Sequence, residues 1–371
     1  MRVLLTHDRF PPVFGGGGEY VVLETARGLL RSGVDLKVLV GGDPAITSYE
    51  GIATTRVPVS PRRFAFSVPA IRKHARDVDL IQAFTYYAAP PSLLAGRLTG
   101  KPVVVYVLGI YGDTWRQMRP PFEARVRIAW EKFLLRGNYA HIIVPSHPTR
   151  DLAISLGADG RKISVNHPGI SDELRPLPKQ DYVFFSGKND RRKGTEDLLA
   201  AARALPHVRF RAMIWGPDLE SFQRAAPPNI EFPPFERGEP LRREFGVARI
   251  FFFPSVSETF SIALSEAMAT GCAIVASESA AADVSFEGAR VRPGNREDMI
   301  AGIDRLWKDP ALCSAAGAAN ANFAANFGWD AYIGRLRAVY DSVLDRRAAV
   351  ENQPARPTPV RGRIYNPGDK C

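Results

Sequence analysis

Short apolar runs alternate with longer amphipathic stretches along nearly the whole chain, a rhythm that predicts strands and helices in turn. The run at residues 2–6 predicts a first strand. Residues 19–32 then place Val22, Ala26, Leu29 and Leu30 on one helical face, and Gly33 ends that helix. Residues 35–40 restart a strand. Further strands are expected at 80–83, 103–107 and 141–144, with Ser146 positioned to cap the helix after the last of them. Runs this apolar suit parallel strands covered on both faces, so residues 1–174 are expected to form a doubly wound α/β domain. Residues 175–180, RPLPKQ, carry two prolines and no periodicity and read as a linker. Strands at 182–186, 209–215, 229–232, 250–253 and 273–276 then mark a second α/β domain over 181–326. Residues 327–345, with Trp329, Tyr332 and Tyr340, read as a last amphipathic helix. Residues 346–371, rich in proline and without an apolar pattern, are expected to be a disordered tail.

The densest chemistry lies in residues 251–276, FFFPSVSETFSIALSEAMATGCAIVA. Phe251, Phe252 and Phe253 form a buried strand closed by Pro254. Residues 261–270 have helical spacing, and Gly271 is placed to stop them. Glu258 therefore precedes a helix N-terminus, and Glu266 sits about two turns inside that helix. The free backbone N–H groups between them make an anion site. A phosphate flanked by two carboxylates that bind hydroxyls suits a nucleotide-sugar. The plainer reading of the bare spacing is a strand–loop–helix with two solvated glutamates.

A second constellation, GKNDRRKG at 187–194, follows directly on an apolar strand. Gly187 at a strand end allows a sharp turn beside a ligand, and Lys188 and Lys193 then offer two ammonium groups to a diphosphate. Arg191 and Arg192 are expected to be solvated. A charged surface turn is the competing account. The glycine cluster at 15–18 looks at first like a dinucleotide fingerprint. It lacks the third glycine at the required spacing, however, and residues 10–14 separate it from its strand. His7, at the end of the first strand, is a candidate for the wall of a cleft, though a lone histidine is more often structural.

Composition narrows the classes. A chain of 371 residues is long for one core, and 45% hydrophobic with 24% charged residues fits a globular protein. No apolar stretch approaches a membrane span, and residues 3–5 are too short a run for a signal peptide. The three cysteines are widely spaced without metal-like pairing, which fits a reducing cytoplasm. The net charge of +10 is compatible with phosphorylated substrates or an anionic membrane surface. Without an aromatic RNA-binding signature or zinc-finger spacing, nucleic acid is not an expected partner.

The spacing of Glu258 and Glu266, with Phe260 and the Glu-Ala-Met-Ala run at 266–269, resembles the donor motif of retaining glycosyltransferases of family 4. That resemblance implies a GT-B fold: two doubly wound Rossmann-like domains facing across a cleft, with the final helix packing back on the first domain. It implies transfer of a hexose from a UDP- or GDP-linked sugar to a glycan or lipid-linked acceptor with retention of configuration. The nucleotide-sugar is then a substrate, and no cofactor or metal is expected. By the same resemblance the N–H groups of Ser261, Ile262 and Ala263 hold the distal phosphate. Glu266 accepts from the ribose hydroxyls, and Glu258 contacts the hexose. Lys188 and Lys193 bind the diphosphate and stabilise the leaving group. Gly16 and Gly17 belong to a glycine loop against the donor phosphate.

The chain departs from the family pattern in places. Lys188 stands where arginine is usual, which keeps the charge and loses the bidentate fork. Thr259 and Ser261 replace glycines. Leu108 and Phe84 occupy places where histidines are usual on the acceptor side. A sugar-nucleotide epimerase and a non-catalytic nucleotide-sugar-binding protein are the alternatives, with a nicotinamide-dependent oxidoreductase further off. Finally, residues 121–137 read as a helix with Phe122, Val126, Ala129 and Phe133 on one face and Arg125, Arg127, Lys132 and Arg136 around it. Arg62, Arg63, Phe64 and Phe66 form a similar cluster. Both suit either a core helix with a solvated basic face or peripheral docking at the inner membrane surface.

Overall fold

The computed structural model describes residues 1–280 and 283–351. Its strands in chain order are β1 (Arg2–His7), β2 (Asp35–Gly41), β3 (Ser48–Tyr49), β4 (Ile52–Ala53), β5 (Thr55–Val57), β6 (Leu80–Phe84), β7 (Val103–Tyr106), β8 (His141–Val144) and β9 (Ile163–Val165). They continue with β10 (Gln180–Lys188), β11 (Phe210–Trp215), β12 (Ile230–Glu231), β13 (Ala248–Phe253), β14 (Ala273–Ser277) and β15 (Gly288–Val291). Apart from the small β3–β4 hairpin, these strands form two sheets whose pairings are all parallel.

The first sheet runs β5-β2-β1-β6-β7-β8-β9 and the second β12-β11-β10-β13-β14-β15. Each order reverses at its own first strand, between β1 and β6 and between β10 and β13. Such a reversal opens a crevice at the carboxyl ends of the strands, where doubly wound sheets hold their ligands. Apolar clusters cover both faces of each sheet, one pair built around Leu5 and Leu4, the other around Val183 and Phe184. That two-sided burial is why the strands read as continuous apolar runs.

The last helix, Trp329–Glu351, belongs to the first sheet's core. Tyr332, Ile333, Leu336 and Tyr340 pack in one cluster with Val3, Leu5 and Val22. The Tyr340 hydroxyl lies 2.9 Å from Gln82 Oε1, and Asn166 Nδ2 donates to Tyr332 O at 3.1 Å. The close approach of this helix to Gly18–Arg31 depends on Gly28. A Cβ there would lie 2.4 Å from Ile333 Cγ1.

Several expectations are corrected. The final helix runs to Glu351, so residues 346–351 are helical; the rest of the expected tail, 352–371, lies outside the described residues. β10 extends through Gly187 and Lys188, which pair with Ile214 and Trp215. Gly187 is therefore in the ladder, not at a turn. The left-handed residue is Gly194, at φ +72°, where a Cβ would press to 2.6 Å from Pro254 O. β5, β9 and β15 escaped the sequence reading because they are short and half-exposed, with too few apolar positions to stand out.

Candidate active site

β13 delivers the chain to the cleft at Pro254, and the loop 255–261 leads into the helix Ile262–Ala269. Ser261 is the N-cap, its hydroxyl accepting from Leu264 N at 3.2 Å, and Ser265 N takes the first backbone bond to Ser261 O at 3.1 Å. The N–H groups of Ile262 and Ala263 have no partner among the described residues and carry the positive end of the helix dipole. Gly271, at φ +74°, ends the helix with its N–H on Met268 O at 2.9 Å.

Glu258 sits immediately upstream as a charged node. Its Oε1 accepts from Lys193 Nζ at 2.6 Å, Ser255 Oγ at 2.6 Å and Arg192 Nη1 at 2.9 Å. Burial alone would raise this carboxyl. The Arg192 and Lys193 charges, with hydrogen bonds from Lys193 and Ser255, outweigh it and hold Glu258 below the usual carboxylate range. Burial lowers the Lys193 ammonium, opposed by Glu258. The 3₁₀ turn Arg191–Lys193 aims both cations inward, with Asp190 accepting from Arg192 N at 2.8 Å. Lys188, at the end of β10, has no side-chain hydrogen-bond partner among the described residues and lines the same cavity. Lys188, Arg192 and Lys193 against Glu258 leave this wall with a surplus of positive charge.

Glu266 lies on the helix beyond the free N–H groups and faces the cavity without a hydrogen bond among the described residues. Burial pushes its carboxyl up to about 7, opposed by the charges of Arg237 and Arg242. The opposite wall is the glycine loop. Gly16 N donates to Glu19 Oε2 at 2.9 Å, and a Cβ on Gly17 would lie 3.8 Å from Ile262 Cδ1.

The cleft between the two sheets has a volume of about 920 Å³. Gly16, Gly17, Gly187, Lys188, Lys193, Glu258, Phe260, Ser261, Ile262, Ala263 and Glu266 are all among its lining residues. The domains also touch directly beside it. Thr259 Oγ1 donates to Leu108 O at 3.0 Å, Ser146 Oγ donates to Thr259 O at 2.6 Å, and Phe260 stacks on His167 at 5.5 Å. His147, His167 and Asp283 gather three metal-capable side chains at this boundary, outside the cleft lining.

Arg192 differs from expectation, and His7 takes its structural reading. His7 is buried, with Nδ1 2.7 Å from Arg9 O and its ring edge-on to Phe84, so it does not line the cleft. Phe84 is buried in the core, whereas Leu108 does reach the cavity. Arg192 is not solvated: it pairs with Glu258 and lies over the Tyr111 ring at 5.7 Å. Its place next to Lys193 in a turn closed by glycine was the available signal. Arg237 was missed altogether. Its guanidinium lies over Phe14 at 4.6 Å, Phe235 at 5.3 Å and Trp215 at 5.6 Å. These rings come from both domains, and no local pattern links them.

Two Rossmann-like domains facing across a cleft, with a helix start whose N–H groups are free in that cleft, have the GT-B architecture. Comparison with known proteins agrees. The sequence pattern described as Glycosyltransferase Family 4 matches residues 15–174, and that of Glycosyl transferases group 1 matches residues 180–309. The chain belongs to this family of glycosyltransferases, whose donors are nucleotide-sugars. It is 25% identical to D-inositol 3-phosphate glycosyltransferase 1 of Catenulispora acidiphila, covering 89% of this chain and 91% of that one. It is 26% identical to the D-inositol 3-phosphate glycosyltransferase of Mycobacterium avium, over 88% of each chain. Among solved structures, sucrose-phosphate synthase from Thermosynechococcus elongatus superposes with a TM-score of 0.78 at 18% identity, covering 93% of this chain and 99% of that one. Anabaena HepE in complex with UDP-glucose gives 0.75 at 17% identity, covering 92% of this chain and all of that one.

Proposed function

We propose that the protein transfers a hexose from a uridine or guanosine diphosphate sugar to a hydroxyl of a glycan or lipid-linked acceptor, with retention at the anomeric carbon. The observation that carries this reading is the pair of free N–H groups at Ile262 and Ala263. They are bracketed by Glu258 and Glu266 and face a wall where cations outnumber carboxylates. The distal phosphate sits on those N–H groups and between Lys188 and Lys193, and the ribose hydroxyls donate to Glu266. The hexose then lies beside Glu258. The UDP-glucose complex of HepE, on the same fold, supports a donor of this kind.

In the reaction the bond between the anomeric carbon and the phosphate oxygen breaks, and its electron pair leaves with the nucleoside diphosphate. The lysines and the helix start stabilise that charge, which is largest in the transition state. The acceptor oxygen bonds to the anomeric carbon, and its proton passes to the departing phosphate. Glu258 stays ionised and offsets positive charge on the sugar. Two cations hold its Oε1, which makes it a poor nucleophile and favours attack from the leaving-group face over a covalent intermediate. This chemistry asks for no metal or cofactor. The donor-side groups required by the resemblance lie together, and replacement of the acceptor-side histidines by Phe84 and Leu108 leaves them in place.

The test is a panel of UDP- and GDP-hexoses, with release of nucleoside diphosphate followed together with the anomeric proton signals of the product. Slow release from one donor, with the donor's configuration first in the product, is expected. An epimerised donor would replace the transfer reading with the epimerase. Stabilisation by NAD, with none by any nucleoside diphosphate, would overturn the site assignment.

A further inference from the structure

The helix Pro121–Leu135 has two different faces. Its inner face packs Ala124 and Ile128 with Trp115, beside Tyr111 and Met118. Glu131 is buried there and accepts from Tyr86 Oη at 2.7 Å, Trp115 Nε1 at 2.7 Å and Gly112 N at 2.8 Å. This carboxylate fastens the helix to the loop after β7, and that loop walls the cleft through Leu108 and Tyr111.

The outer face is apolar and open. Phe122 is 79% exposed, Val126 53% and Phe133 62%. With exposed Ala129 they follow the i, i+4, i+7, i+11 spacing of a single stripe. Exposed Arg125, Lys132 and Arg136 border the stripe. Of the helix's acids, Glu131 is buried, and Glu123, at the helix start, is paired with Arg127 at 2.6 Å. The turn Pro61–Phe66 is a second exposed aromatic and basic patch, with Phe66 81% exposed and Arg62 and Arg63 exposed. Phe64, grouped with them from the sequence, is instead buried in the core. Arg62 stands close to the helix start. The Glu123 carboxyl is held low first by its hydrogen bond from Arg127, and the Arg62 charge adds to that.

We propose that this face seats the protein on an anionic lipid bilayer. Large aromatic side chains left in water on one stripe mark an interaction surface. Arginines and a lysine around them, without a free acid on the stripe, match a negatively charged headgroup layer. Aromatic rings enter the acyl boundary while the cations stay at the phosphates. No helix among the described residues is long and apolar enough to cross a membrane, so attachment on this face is peripheral. The helix is about 10 Å thick, so the surface lies roughly that far from the loop that walls the cleft. A lipid-linked acceptor fits that geometry. This last point rests on the transferase reading; the docking itself does not.

The experiment is co-sedimentation of the full chain with vesicles of mixed phosphatidylcholine and phosphatidylglycerol, and with phosphatidylcholine alone, at low and high salt. The protein should pellet with the anionic vesicles at low salt and be largely released at high salt. Phe122→Ser with Phe133→Ser, and separately Arg125→Glu with Lys132→Glu, should each weaken binding by at least about tenfold. These positions are exposed, so thermal melting and nucleoside diphosphate affinity should not change. Absence of binding to anionic vesicles at low salt would overturn the proposal. Wild-type binding by the double serine variant would do the same. Donor hydrolysis in solution, measured on the same samples, reports separately on the transferase reading.

Discussion

Replacing Glu266 by glutamine should make the donor-free protein more stable at alkaline pH. The Glu266 carboxyl is pushed from its ordinary 4.5 up to about 7, chiefly by burial against the partial offset of Arg237 and Arg242. Because the folded-state value is the higher, the folded protein holds this proton more tightly than the unfolded chain. Stability from this group is therefore greatest in acid. It falls as pH rises from about 4.5 to about 7 and stays low above that. A shift of about 2.5 units corresponds to about 3 kcal/mol, and most of it, about 2.5 kcal/mol, is lost between about pH 5 and about pH 8.5. Glutamine keeps the shape and removes the titration. Urea unfolding of wild type and Glu266→Gln at both pH values isolates the effect, because other titrating groups cancel in the difference. The variant's advantage should grow by about 2.5 kcal/mol towards alkaline pH. An advantage of the same size at both pH values would refute the reasoning. The same ionisation should favour donor binding, because an ionised carboxylate accepts stronger hydrogen bonds from ribose hydroxyls. The site would then trade stability for a charge the nucleotide uses.

Other expectations follow from the same geometry. Lys193→Ala should weaken nucleoside diphosphate binding by roughly ten- to a hundredfold and reduce its salt dependence, read by calorimetry at two ionic strengths; unchanged affinity would remove Lys193 from the phosphate site. Arg192→Met takes one cation from Glu258, so the acid limb of the turnover profile should move to higher pH. An acid limb that stays put would mean that Glu258 ionisation does not matter to turnover. Leu336→Ala, far along the chain but buried in the first sheet's core, should destabilise the fold by about 2–5 kcal/mol. A loss below about 0.5 kcal/mol would contradict the packing described for the last helix.

Much of this was readable because buried parallel strands announce themselves. Phe251 to Phe253 and Val183 to Phe185 are covered on both faces and appear as unbroken apolar runs. Edge strands such as Gly288–Val291 carry exposed positions and a glycine, and so have no such signature. Glu258, Glu266, Lys188 and Lys193, which line one cleft, could be placed from the sequence because strand ends and a helix start fix them locally. Arg237 was not, since its three aromatic neighbours meet only after both domains fold. His7 takes the structural reading that is commoner for a lone histidine; a strand end in sequence does not reveal whether its side chain turns to the cleft or to the core, where it packs edge-on to Phe84. The exposed stripe of the helix Pro121–Leu135 shows the same limit. Its spacing defines a face, and only the fold decides whether that face is covered.

The proposed donor site is tested most directly by a structure of the protein with whichever nucleoside diphosphate, uridine or guanosine, binds it. The account predicts the distal phosphate on the N–H groups of Ile262 and Ala263, Lys188 and Lys193 on the phosphate oxygens, and the ribose hydroxyls on Glu266. A nucleotide lying along the glycine loop at residues 15–18, with nothing bound at the start of the helix Ile262–Ala269, would contradict it.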